Sequence, residues 1–175
     1  MLTSNTDKYK IFWQCDKYAK ADKPQVEDYC RDRLIEMLKP CLASLDIRIE
    51  PEGHMANDKR ADIAVLPPPG QKLLLELKRD THSDLWTACR DQLELLYARD
   101  PEASGYGIYV VFWFGDKRKG SITRPPNGIK RPQSAKDLEK ALRSLIPEDK
   151  KQRLQAIVID VTPPALTQRE TMKKS

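Results

Sequence analysis

No stretch of the 175-residue sequence approaches the roughly 20 consecutive apolar residues that a membrane-spanning helix needs. The first twenty residues, MLTSNTDKYKIFWQCDKYAK, carry charges throughout and have no apolar h-region, so no secretory signal is expected. Cysteine is sparse: Cys15, Cys30, Cys41 and Cys89 are widely scattered and form no CxxC pair. That spacing excludes a disulfide-built mini-protein and argues against a structural zinc site. Reduced thiols in a cytoplasmic protein are expected. There is no Walker A loop, no dinucleotide-binding fingerprint and no GxSxG elbow. With 39% apolar and 33% charged residues, the chain is neither disordered nor of low complexity. Its length suits one ordinary domain.

What is present is unevenly distributed. The net charge is +5, but residues 116–175 hold 15 Lys/Arg against 7 Asp/Glu, whereas residues 1–115 hold 16 against 19. A basic C-terminal third points to a polyanionic partner, or to a solvated basic surface.

The apolar spacing predicts the order α-β-β-β-α-β-α-β. A helix starts near Lys23-Pro24, since proline is favoured in a first turn, and Pro40 kinks or divides it. IRIE at 47–50 is a strand, and PEGHMANDKR is polar turn sequence. ADIAVL at 61–66 and QKLLLELKR at 71–79 form a hairpin across four turn residues. A second helix spans 83–100, with Ser83 as cap. GYGIYVVFWFG at 105–115 is a buried central strand. A loop rich in glycine, proline and basic residues follows. Then come a helix capped by Ser134 and a final strand at 156–162. IFW at 11–13 is either a short strand or an anchor on a neighbouring domain. The expected fold class is α/β with a mixed sheet flanked by helices. Residues 1–23 read as an extension or junction, 24–165 as the domain and 166–175 as a basic tail.

One strand carries the chemistry. Residues two apart share a strand face, so Leu73, Leu75 and Leu77 line one side of 71–79 while Leu74, Glu76 and Lys78 line the other. Two charged side chains thus point into space that a helix should cover, which is costly unless they are paired or bind a metal. The neighbouring strand brings Asp62 within reach. Two carboxylates beside one lysine, with the Leu77 carbonyl between them, suit Mg²⁺, a hard cation that prefers oxygen and keeps several waters. Asp62 and Glu76 would hold the ion, and Lys78 would orient or help deprotonate a water and offset phosphate charge. A plain ion pair between Glu76 and Lys78 would use the same residues.

In these residues and this element order the chain resembles the PD-(D/E)xK nuclease superfamily, which has the restriction-endonuclease-like fold. Asp62 matches the family's acid, and Glu76-Leu77-Lys78 its (D/E)xK motif. Ala61 stands where the family name has proline. The likeness covers residues 24 to about 115, and more loosely those to 162. It implies a three-layer core and a Mg²⁺-dependent endodeoxyribonuclease of little sequence specificity, with Mn²⁺ able to substitute. It also implies a polar residue in the second helix, matched by Gln92 on the Leu85–Cys89–Leu96 stripe, and an acid in the first helix, matched by Glu27. The run from 84 to 115 is similar to nuclease-like domains of large bacterial phage-defence proteins. That likeness implies an effector, DNA as partner, a homodimer, and a sensor or NTPase module fused or recruited. A ribonuclease and a non-catalytic nucleic-acid-binding or assembly module remain as alternatives. Candidate phosphate contacts are Lys59, Arg60, His82, Lys117, Arg118, Lys119, Arg124, Lys130 and Arg131.

Overall fold

In the computed structural model, which describes residues 7–54, 60–92 and 101–164, the chain opens with a 3₁₀ turn, Asp7–Phe12. A small antiparallel hairpin of β1 (Trp13–Cys15) and β2 (Ala21–Pro24) follows. Helix α1 spans Glu27–Ala43. It begins later than expected, because Pro24 is used as the last residue of β2, opposite Trp13. Pro40 lies inside α1 and does not divide it.

The five remaining strands are β3 (Arg48–His54), β4 (Arg60–Leu66), β5 (Leu73–Arg79), β6 (Gly107–Trp113) and β7 (Leu154–Asp160). They form one mixed sheet in the order β3-β4-β5-β6-β7. The β3-β4-β5 half is antiparallel, and β5-β6-β7 is parallel. β5 is therefore the central strand, where the two halves meet. Helix α2 (Ala135–Leu145) precedes β7, and Ser134 caps it by accepting the Asp137 N–H at 3.1 Å. The helix expected over 83–100 is described only to residue 92. Successive turns over 83–87 lead into helical backbone there, and the Ser83 hydroxyl donates to Asp84. Residues 93–100 lie outside the described residues.

Alternation along β5 divides the core in two. Leu75 and Leu77 pack with Leu34 and Ile35 of α1 and with Phe12 and Trp13. Leu74 packs on the other face with Leu85, Trp86 and Cys89 and with Leu138 and Leu142 of α2. Both faces of the sheet are thus covered, as parallel strands require. IFW at 11–13 packs into this chain's own core rather than onto a neighbouring domain: the Phe12 and Phe112 rings lie 5.2 Å apart, and Trp13, which opens β1, donates its indole N–H to Val161 O at 2.7 Å. Burial of each such ring stabilises the fold by about 2–3 kcal/mol. The cysteines form no disulfide among the described residues, and Cys30 and Cys89 are buried as expected.

Candidate active site

β5 places Glu76 and Lys78 on the Leu74 face, and both are only 5% exposed. The Lys78 ammonium donates to Glu76 Oε1 and, at 2.9 Å, to the Leu77 carbonyl. It reaches Glu27 Oε1 at 3.4 Å and lies 4.0 Å from Asp62 Oδ2. Asp62 is held in turn by the Leu77 N–H, which donates to its Oδ2 at 2.7 Å. Glu27, in the first turn of α1, also accepts the Arg79 N–H at 3.1 Å. Two neighbouring strands and one helix start therefore converge on one ammonium.

Three carboxylates face this single lysine, an excess of two negative charges. Burial pulls the Lys78 pKa down, but Glu76, Glu27 and Asp62 together outweigh it, and the net shift is upward. Lys78 is thus a cation and a hydrogen-bond donor at neutral pH. Stability does not require such an arrangement. Apolar residues of similar volume in place of a buried ion pair are often neutral or about 1–4 kcal/mol better.

The donor set has the hard oxygens that Mg²⁺ prefers: two or three carboxylates and one peptide carbonyl. Among the described residues no three His, Cys, Asp or Glu side chains form a group able to hold a metal. Mg²⁺ does not demand one. It is commonly held by one or two carboxylates, with water and substrate phosphate completing its shell. Asp62, Glu76 and the Leu77 carbonyl fit that pattern.

The other expected residues divide. Gln92 is half-buried, its Oε1 has no hydrogen-bond partner, and no described contact brings it to Lys78. His82 is built into a turn. Its Nδ1 accepts the Asp84 N–H at 3.1 Å, and its carbonyl accepts the Thr123 hydroxyl at 2.8 Å. Lys117, Lys119, Arg124, Lys130 and Arg131 are exposed. Arg60 begins β4, and Lys59 lies outside the described residues.

Arg118 corrects an expectation. Its side chain is 10% exposed and donates through Nε to Asp80 Oδ2 at 2.8 Å. Its guanidinium also lies over the Trp113 ring at 4.3 Å. It is a fastening of the loop after β6, not an open phosphate contact. Asp80 is fully buried and also accepts the Phe114 N–H at 2.9 Å. Burial raises its carboxyl pKa, against the opposing pull of the Phe114 amide and Arg118. Strand parity could have singled out Asp80, which continues the Glu76–Lys78 face, but not its partner 38 residues away. Gly115 makes the turn beside it. Its φ is +67°, and a Cβ there would sit 2.7 Å from Thr162.

The family model that matches residues 2–116 describes a domain of unknown function, DUF8371. The chain belongs to this family. No curated protein and no solved structure matches it. The DUF8371 match takes in the hairpin, α1 and β3 to β6. It therefore spans Glu27, Asp62, Glu76, Lys78 and Asp80, and stops before Lys117.

Proposed function

We propose that this DUF8371 domain is a Mg²⁺-dependent endodeoxyribonuclease with a restriction-endonuclease-like fold and little sequence preference, acting as an effector in bacterial anti-phage defence. The observation that carries the reading is the convergence of Asp62, Glu76 and Glu27 on Lys78, on the strand where the sheet turns from antiparallel to parallel. The element order supports it: one helix, an antiparallel meander of three strands, a connecting segment and a parallel strand. Charged groups buried in this way cluster at functional sites.

Asp62, Glu76 and the Leu77 carbonyl would hold the ion, with Glu27 beside them. Bound there, Mg²⁺ would polarise a phosphate oxygen and acidify a water. Lys78, charged at neutral pH, would donate a hydrogen bond to a non-bridging phosphate oxygen or to the attacking water. It would thereby orient the reactants and offset the charge that grows on phosphorus oxygens. The Leu77 N–H would keep Asp62 in place. Hydrolysis adds water across one phosphodiester P–O bond, and the reaction needs no other reactant.

The closed, buried ion pair of Glu76 with Lys78 favours a second reading, a non-catalytic nucleic-acid-binding module on the same fold. One experiment separates the two. The full chain is incubated with supercoiled plasmid, and in parallel with RNA, under a titration of Mg²⁺ or Mn²⁺ with an EDTA control. Metal-dependent nicking of DNA is expected. RNA cleavage would make it a ribonuclease. Retained DNA binding with no cleavage at any metal concentration would favour the binding module.

A further inference from the structure

The turn between β1 and β2 was not among the expected binding residues, and it is built unlike a passive surface loop. Asp16 Oδ1 accepts the N–H groups of Tyr18 and Lys20, each at 2.9 Å. The Lys20 amide is the main reason that the Asp16 carboxyl lies below its ordinary range. The Asp16 N–H donates to Lys20 O at 2.8 Å, and Ala19 is held at a φ of 57°. This fixed turn presents Tyr18 70% exposed, with the Lys17 ammonium 5.0 Å from its ring centroid. Lys17, Lys20 and Lys23 are all exposed. Two acids lie among them: Asp16, which accepts the two backbone amides, and Asp22, 4.0 Å from Lys119. An exposed aromatic on a rigid turn between lysines has no packing role to explain it.

The hairpin is anchored at its base, and the residues that follow β2 adjoin the candidate site. Trp13 packs edge-on against Phe114, with ring centroids 5.2 Å apart. Immediately after β2, the Gln25 carbonyl accepts from Arg79 Nη1 at 3.4 Å, and Glu27 reaches Lys78. The contact between Asp22 and Lys119 joins the turn to the basic loop that Arg118 fastens. Among the described residues, three of the six large apolar side chains that stay exposed lie in this stretch: Tyr18, Val26 and Tyr29.

We infer that the β1–β2 turn is a binding finger for single-stranded DNA, in which Tyr18 stacks on a base while Lys17, Lys20 and Lys23 contact the flanking phosphates. Stacking on an aromatic platform amid cations is the usual way to hold a single strand without reading its sequence. A duplex keeps its bases stacked inside and offers Tyr18 nothing to stack on. The inference rests on the nuclease reading, since it makes the substrate of that site a single strand or a splayed duplex end.

The test is fluorescence anisotropy with the full chain in EDTA, where no metal-dependent cleavage occurs. The probe is a labelled oligothymidylate of about 15 nucleotides, compared with a duplex of equal length. Tyr18→Ala should weaken single-strand binding about tenfold, and Tyr18→Phe should leave it unchanged. Lys17→Gln with Lys20→Gln should flatten the salt dependence by about 1.4 in log–log slope, the loss of two single-strand phosphate contacts. Duplex binding should move less than twofold in the Tyr18 variants. Tyr18 is exposed, so folding is not at stake. Oligothymidylate binding that is absent, or unchanged in Tyr18→Ala, would overturn the finger even if plasmid is cut. Tyr18-dependent binding by a chain that cuts nothing would uphold the finger and overturn the nuclease.

Discussion

Lys78 carries one positive charge into a pocket shared by three carboxylates, and that imbalance sets what each substitution should do. Lys78→Met removes the ammonium from the buried Glu76 carboxylate and should cost about 3 kcal/mol in chemical denaturation. Adding Glu76→Leu removes the buried charge as well and should recover most of that loss. The pH dependence has a definite sign. The folded-state pKa of Lys78 is raised above its ordinary 10.5. Its contribution is therefore fully present below that value and is lost as pH rises through the higher folded value. Wild type should lose more stability above about pH 10.5 than Lys78→Met does, the difference isolating this one lysine. Denaturation curves of both proteins between neutral pH and about pH 11.5 would check it. At this scale strand alternation and a hairpin were enough to find Glu76, Lys78 and Asp62 in the sequence. Glu27 came only through likeness to a family, because no local pattern says which helix start will reach a strand 51 residues away. The Asp80–Arg118 pair was illegible for the same reason: loop and strand meet only once the sheet is formed.

At the scale of elements, local signals succeeded where backbone preference and tertiary pairing agree. Ser134 was legible as a cap, and Ser134→Ala should cost about 1 kcal/mol in thermal or chemical unfolding. The start of α1 was misjudged because Pro24 suits a first helical turn and equally suits the end of a two-stranded hairpin. Pairing with Trp13 decided between them. The free edge of β7 is closed by α2. Glu139 Oε2 accepts the Val158 N–H at 2.9 Å, and Arg143 Nε donates to Ala156 O at 3.0 Å. Glu139 and Arg143 also pair with each other at 3.0 Å. An unpaired edge is a template for a second chain. Replacing both residues by alanine should expose it, and light scattering coupled to gel filtration should show concentration-dependent association absent from wild type.

At the scale of the molecule, the charge asymmetry of the sequence resolves into an exposed basic loop beside the end of the central strand. Lys117, Lys119, Lys130 and Arg131 are exposed, whereas Arg118 is committed to Asp80. Changing the first four to glutamine should reduce the salt dependence of duplex binding by up to about 3.6 in log–log slope. Arg118→Gln should instead act through stability, by freeing buried Asp80. The sequence could not separate these two kinds of arginine and lysine, since composition is blind to which guanidinium a buried acid will take. The mixed sheet was legible from run lengths and turn residues, because strand length and β-branched content reflect burial directly.

The most direct test of the nuclease reading is cleavage of supercoiled plasmid and of single-stranded circular DNA in Mg²⁺ by wild type beside Glu76→Leu/Lys78→Met, a variant expected to recover most of the stability that Lys78→Met loses. Wild type should cut DNA and lose that activity in EDTA, while the double variant, with a denaturation midpoint near that of wild type, should cut neither substrate. Cleavage by the double variant at the wild-type rate, or no cleavage of either DNA by wild type at any Mg²⁺ concentration, would contradict it.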